Sequence, residues 1–165
     1  MGIPRRKVWE FIDVLTEFSV IDRIQPYVRD ITGETSIHDR YYWTDLSYVR
    51  ALLGDMYMQG TLRQKVLENA LYLELKFALT SDHILWFYRK KSQATIPFLL
   101  ERLSNQELIP ITFTERNTEV VPQIFQSFQH QYGTSVKRYI IFTASLCAEM
   151  ELETVPVLFL PHTLI

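Results

Sequence analysis

Residues 61–79 read TLRQKVLENALYLELKFAL, and the choice between strand and helix for this stretch decides the fold. Leu71, Leu73, Leu75, Phe77 and Leu79 alternate strictly, the period of a strand with one buried face. Val66, Ala70, Leu73 and Phe77 equally lie on one helical face, and the uninterrupted length favours a helix. Alanine, leucine, glutamate and lysine are good helix formers, and Thr61 is of a type that caps a helix start. The stretch is read as a helix.

Working toward the N-terminus, Leu46–Gly54 is a second helix, with Thr44 and Asp45 as cap types before it. Tyr41-Tyr42-Trp43 is strand-prone, residues 29–40 are polar and turn-like, and a short strand over Ser19–Arg23 ends before Pro26. Pro4 is placed to open a helix over residues 4–17, where Val8, Phe11, Ile12 and Leu15 recur at helical spacing. Toward the C-terminus, strands are expected at Ile84–Tyr88, Leu108–Phe113, Tyr139–Ala144 and Val155–Leu160. Ala94–Leu100 carries Pro97, which weakens either assignment. A helix over Val121–Tyr132 is stopped by Gly133. Helices and strands thus interleave, and the fold class is α/β.

The 165 residues suffice for one domain or two small units sharing a core, with 47% hydrophobic residues to build it. A net charge of −2 gives no general attraction to nucleic acid or acidic membranes, so any such binding must come from a local patch. The lone Cys147 ends an apolar run from Ile140 and reads as a buried, inert thiol, which suits a cytoplasmic protein. Glu10, Asp13 and Glu17 interrupt what a signal peptide would need as an apolar stretch. No run is apolar enough to cross a bilayer, and no membrane partner is expected.

The chemistry-bearing motifs are few. The five glycines never assemble a phosphate-binding loop, so no nucleotide cofactor of that kind is expected. His38, His83, His130 and His162 lack zinc spacing and read as solvated or singly bonded imidazoles. Arg89-Lys90-Lys91 reads as a charged strand end that discourages edge pairing. Arg5, Arg6 and Lys7 on the first turn of a helix form the best local footprint for phosphates, with a solvated basic turn as the plainer reading. Three such contacts would give a log–log salt slope of about −2.7 on duplex DNA. Glu74-Leu75-Lys76 spells E-x-K, the core of the PD-(D/E)xK nucleases, in which carboxylates hold Mg²⁺ and a lysine steadies the attacking water. On a helix, however, residues two apart face different directions.

Phe11-Ile12-Asp13-Val14-Leu15-Thr16-Glu17-Phe18 running on to Pro26-Tyr27, then Tyr41-Tyr42-Trp43-Thr44-Asp45-Leu46 and Val49-Arg50-Ala51-Leu52-Leu53-Gly54, come in a telling order. They are followed by Glu68-Asn69-Ala70-Leu71-Tyr72-Leu73-Glu74-Leu75 and Leu85-Trp86-Phe87-Tyr88-Arg89-Lys90-Lys91-Ser92. In order and spacing, from about residue 3 to residue 161, the chain resembles the C-terminal region of a prokaryotic AAA-type ATPase family. There a winged-helix segment precedes a domain of PD-(D/E)xK nuclease fold. The resemblance implies a mixed sheet flanked by helices of the restriction-endonuclease kind, over residues 59–165, with a truncated winged-helix-like unit over residues 1–58. It also locates a degenerate nuclease site. Glu68 matches the helix acid, Pro97 falls where an aspartate belongs, and Thr112 and Thr114 stand in place of a glutamate and a lysine. Threonine is a poor substitute for a carboxylate at a hard cation, and proline offers no ligand.

The reading that follows is a non-catalytic recognition or docking domain, without a metal or other cofactor. Its partner would be an AAA-type ATPase or another protein, with weak DNA binding through Arg5, Arg6 and Lys7. Two alternatives are a Mg²⁺-dependent nuclease using Glu68, Glu74 and Lys76, and a structural subunit of an ATPase assembly.

Overall fold

The computed structural model describes residues 2–28, 38–90 and 94–162. The polar stretch 29–37, Lys91 and Ser92 lie outside them. Four α-helices and eight strands are described: α1 (Arg5–Glu17), β1 (Ile21–Ile24), β2 (Arg40–Trp43), α2 (Leu46–Leu53), α3 (Gly60–Ala78), β3 (His83–Arg89), β4 (Thr95–Arg102), β5 (Glu107–Phe113), α4 (Gln123–Tyr132), β6 (Tyr139–Thr143), β7 (Ala148–Leu152) and β8 (Val155–Pro161). A short 3₁₀ segment, Gly54–Met58, follows α2 directly.

The stretch that decides the fold is helical over Gly60–Ala78, two residues earlier than Thr61 would allow as its cap. Gln59 occupies the cap position without a side-chain hydrogen bond. Asp45 does cap α2, its carboxylate accepting from the Ser47 N–H at 2.7 Å. Thr44 instead donates to the Ser19 and Val20 carbonyls at 2.7 and 3.1 Å, tying the start of α2 back to β1.

Two sheets form: an antiparallel β1–β2 pair, and a six-stranded mixed sheet in the order β3-β4-β5-β6-β8-β7. β3, β4 and β5 make an antiparallel meander. The crossover through α4 then sets β6 parallel to β5, and β8 lies parallel to β6. Strand alternation divides the side chains between two faces. On one, Phe125, Phe128 and Tyr132 of α4 pack with Ile96, Leu99, Leu108, Tyr139, Ile141, Val157 and Phe159. On the other, Leu71 and Tyr72 of α3, with Ile24 and Tyr42 of the small sheet, pack on Phe87, Phe98, Ile109 and Ile111.

Pro97 stands inside β4 and not at its end. Trp86 pairs with Leu99, but Tyr88 pairs with Ile96, so β4 carries one extra residue between these pairs. Such a bulge leaves a residue outside the ladder, and this is where a proline without N–H is tolerated. It also breaks the alternation: Ile96 and Phe98, two apart, serve opposite faces.

The free edge of β3 is covered from the N-terminal part of the chain. The Phe87 carbonyl accepts from Tyr27 N–H at 2.7 Å, and Phe87 N–H donates to the Gln25 carbonyl at 3.2 Å. The small sheet is thus bonded to the large one as well as sharing a core with it.

Three local expectations are corrected. Cys147 is not the buried thiol expected from the apolar run before it. The Thr143 hydroxyl bonds both the carbonyl and the N–H of Leu146 at 2.9 Å, closing a turn that leaves Cys147 exposed. Beyond it Ala148–Leu152 forms β7, a hairpin partner of β8 through Glu153 and Thr154, both at positive φ (49° and 74°) as a two-residue type I′ turn requires. Gly133 is not a left-handed helix stop, since its backbone is helical (φ −53°, ψ −32°). A Cβ there would stand 2.5 Å from the Gln129 carbonyl oxygen, so glycine is needed for space.

Candidate functional site

Glu68, the acid singled out by the resemblance, faces β2 from the first half of α3. Its Oε1 accepts from Arg40 Nη1 at 2.8 Å and from the Tyr42 hydroxyl at 2.8 Å. The same guanidinium donates to Thr95 Oγ1 at 3.3 Å and lies over the Phe87 ring, 5.1 Å from its centroid. Arg40 and Glu68 are only about a quarter exposed, at 27% and 28%. A cation therefore already sits against this carboxylate, and it is supplied by the protein. Next along α3, Asn69 accepts from Trp43 N–H at 2.8 Å and donates to the Trp43 carbonyl at 2.9 Å, continuing the end of β2 as a strand neighbour would.

These side chains line a cavity of about 430 Å³ between β2, α2 and α3, with Trp43, Val49, Leu53, Leu62 and Val66 as apolar wall and Lys65 at its exposed rim. That volume is in the range of small-ligand pockets. Its polar groups other than Lys65 are, however, largely engaged with one another.

The remaining residues singled out from sequence do not converge on Glu68. Pro97 lies in the β4 bulge. Thr112 pairs with Ile141 in mid-sheet, and alternation turns it away from Ile111 and Phe113, which pack on the α3 side. Thr114, just past β5, donates its N–H to the Phe142 carbonyl and accepts from Arg116 N–H at 3.2 Å. Lys76 pairs with Asp22 at 2.5 Å, where the Tyr72 hydroxyl also donates at 2.7 Å, so it ties α3 to β1. Glu74, two residues back, is exposed. Among the described residues no group of three or more His, Cys, Asp or Glu is disposed to hold a metal ion. Of the histidines, His83 bonds Thr80 at 2.8 Å, while both ring nitrogens of His162 are buried without a partner among the described residues.

Arg5, Arg6 and Lys7 are exposed on the first turn of α1, with Arg6 paired to Glu10 at 3.0 Å. The helix itself buries no residue. Trp9, Ile12, Leu15 and Thr16 are partly covered, while Val8, Phe11, Val14 and Phe18 are exposed at 41, 61, 48 and 73%. Apolar residues scattered singly over a globular surface would be ordinary. Here the exposed apolar side chains follow one helical stripe.

Sequence reading missed Arg40, Tyr42 and Asn69 as a unit, because Arg40 and Glu68 are 28 residues apart and Arg40 and Thr95 are 55 apart. The only local sign was a cation opening an aromatic strand.

Tyr42 and Tyr72 at this seam, with Tyr139 on the α4 side of the sheet, give the protein a pH dependence. Burial, and secondly the Glu68 carboxylate, push the Tyr42 phenol above its ordinary value. Burial and the bond to Asp22 do so for Tyr72, and burial and Glu153 for Tyr139. A raised folded-state pKa means that stability is complete below about pH 10, where free tyrosine titrates. As pH rises past that value the unfolded chain loses protons that the folded chain keeps, and stability falls. Urea midpoints should hold steady through neutral and mildly alkaline pH and drop steeply above about pH 10. Tyr42→Phe should make that drop shallower.

Among the described residues no helix is long and apolar enough to cross a membrane. No protein-family model matches the chain, nor does any curated protein or solved structure.

Proposed function

We propose that this chain is a non-catalytic docking module, a degenerate nuclease-fold domain with a small winged-helix-like unit packed on it, whose partner is a protein. The observation that carries the reading is Glu68: its carboxylate is held by Arg40 and Tyr42 and is not presented to a metal ion. Pro97 in its bulge and Thr112 facing away offer that acid no fellow ligands. The mixed sheet flanked by α3 and α4 is the architecture this reading needs. The rival set Glu68, Glu74 and Lys76 is strung along about 12 Å of a single helix, at 1.5 Å per residue. Such a spread suits three unrelated surface roles better than one metal. The exposed stripe on α1 is the surface offered to a partner, an AAA-type ATPase or another protein. Nucleic acid is the weaker fit, since one of the three N-terminal cations is engaged by Glu10.

The test has two arms. Purified protein incubated with supercoiled and single-stranded DNA plus Mg²⁺ or Mn²⁺ should leave both intact. A photo-crosslinking residue in place of Phe11 should capture protein in its native cells, and one in place of Val120, exposed elsewhere at 66%, should not. Cleavage that is lost on Glu68→Gln would overturn the non-catalytic reading. Indifferent capture from both positions would overturn docking through α1.

A further inference from the structure

The order of charges along α1 is the reverse of what a lone helix favours. Helix dipoles favour acids in the first turn and bases in the last. In α1 the first turn has no acid and the last no base. Arg5, Arg6 and Lys7 crowd the N-terminal end, and Glu10, Asp13 and Glu17 follow. The internal Arg6–Glu10 pair, with side chains 90% and 58% exposed, compensates little. Alongside the acidic residues runs the exposed stripe Phe11, Val14 and Phe18, at spacings of three and four, with Lys7 continuing it one step of four back. This is the spacing of a helix–helix seam. Arg6, Glu10, Asp13 and Glu17 flank it at the same spacing, one residue back.

We propose that the occupant of this face is a second copy of the same chain, with the two α1 helices packed antiparallel about a twofold axis near Phe11. The inference rests on the docking reading and names its partner. An antiparallel pairing sets Arg6 and Lys7 of each copy beside Asp13 and Glu17 of the other, and each dipole end meets its complement. A twofold interface uses one patch twice and must be self-complementary, as this one is. A parallel pairing would bring six cations together at one end. Flanking charges of this kind decide partner and orientation in paired helices. The 13-residue helix is about 20 Å long, so the seam is smaller than a standard interface and the dimer should be weak, in the micromolar range.

Sedimentation velocity over a concentration series is the experiment. Wild type should show a reversible monomer–dimer equilibrium that weakens as salt is raised. Phe11→Asp, at an exposed position, should fold normally by circular dichroism and remain monomeric. Arg6→Glu/Lys7→Glu and Asp13→Lys/Glu17→Lys should each weaken self-association by roughly tenfold or more, and an equimolar mixture of the two should associate again. Wild type that stays monomeric at its highest soluble concentration would overturn the proposal, as would charge variants that dimerise unaltered or a mixture that does not pair. So would duplex DNA that binds wild type and breaks the dimer, bound less by Arg6→Glu/Lys7→Glu and more by Asp13→Lys/Glu17→Lys. Monomeric wild type whose position 11 still crosslinks selectively to other proteins would sink the second copy alone. Loss of both signals would sink the docking reading with it.

Discussion

Phe98→Ala is expected to destabilise the protein by about 4 kcal/mol, near the upper end for a buried aromatic residue. Phe98 is 0% exposed and stands at the centre of the α3-facing cluster. Its ring lies 5.5 Å from that of Tyr42 and 6.5 Å from that of Tyr72, which are themselves stacked at 4.6 Å. No neighbour can refill the space easily, because the flanking Pro97 bulge sets the backbone of β4. The effect should also reach beyond the sheet. Tyr42 belongs to the small sheet and Phe98 to the large one, so the substitution removes a contact shared by the two. Urea unfolding followed by far-ultraviolet circular dichroism and by tryptophan fluorescence should give one coincident transition, moved to lower denaturant. Two separated transitions would show that the N-terminal unit folds alone and would contradict the shared core. A loss below about 1.5 kcal/mol would mean that the cavity collapses, against the packing described.

Arg40→Ala is expected to cost about 2–3 kcal/mol, less than the 3–5 of a fully buried pair because a quarter of each side chain meets water. The loss has a specific origin. Without Arg40 the Glu68 carboxylate keeps, among the described residues, the Tyr42 hydroxyl as partner, and Thr95 and the Phe87 ring each lose a contact. Pairing the change with Glu68→Gln should return part of the stability, since a neutral amide in the same place needs no counter-charge. A double-mutant cycle built from the two substitutions isolates that coupling, expected at roughly 1–2 kcal/mol. Arg40→Lys should recover little, because a point charge cannot hold Glu68 and Thr95 together as the guanidinium fork does. If Arg40→Ala were neutral, the pair would be an ordinary surface contact, and Glu68 would be free for other chemistry.

Helices and most strands were legible in the sequence because their signals are local. Val66, Ala70 and the residues after them needed only the length of their run to be a helix, and Gly60–Ala78 is one. Asp45 capped α2 from two residues away. Tyr139–Thr143 and Val155–Pro161 are apolar enough to be strands wherever they pair. Sequence left open everything that depends on which strand lies beside which. The bulge at Pro97 is visible only once β3 is in register beside β4, and it turned an ambiguous segment into a central strand. β7 alternates Ala148, Met150 and Leu152 against the core with Glu149 and Glu151 exposed, a short signal in weak strand formers that the sequence reading passed over and that β8 makes a strand by offering a hairpin partner. Cys147 looked buried as part of a run, yet the Thr143 hydroxyl turns the chain before it. Glu68 was found by pattern, but its role was set by Arg40 and Tyr42, 28 and 26 residues away. A local pattern determines how a segment coils. Its charged groups acquire partners only when tertiary packing brings distant segments together, and for Glu68 that partner is a guanidinium.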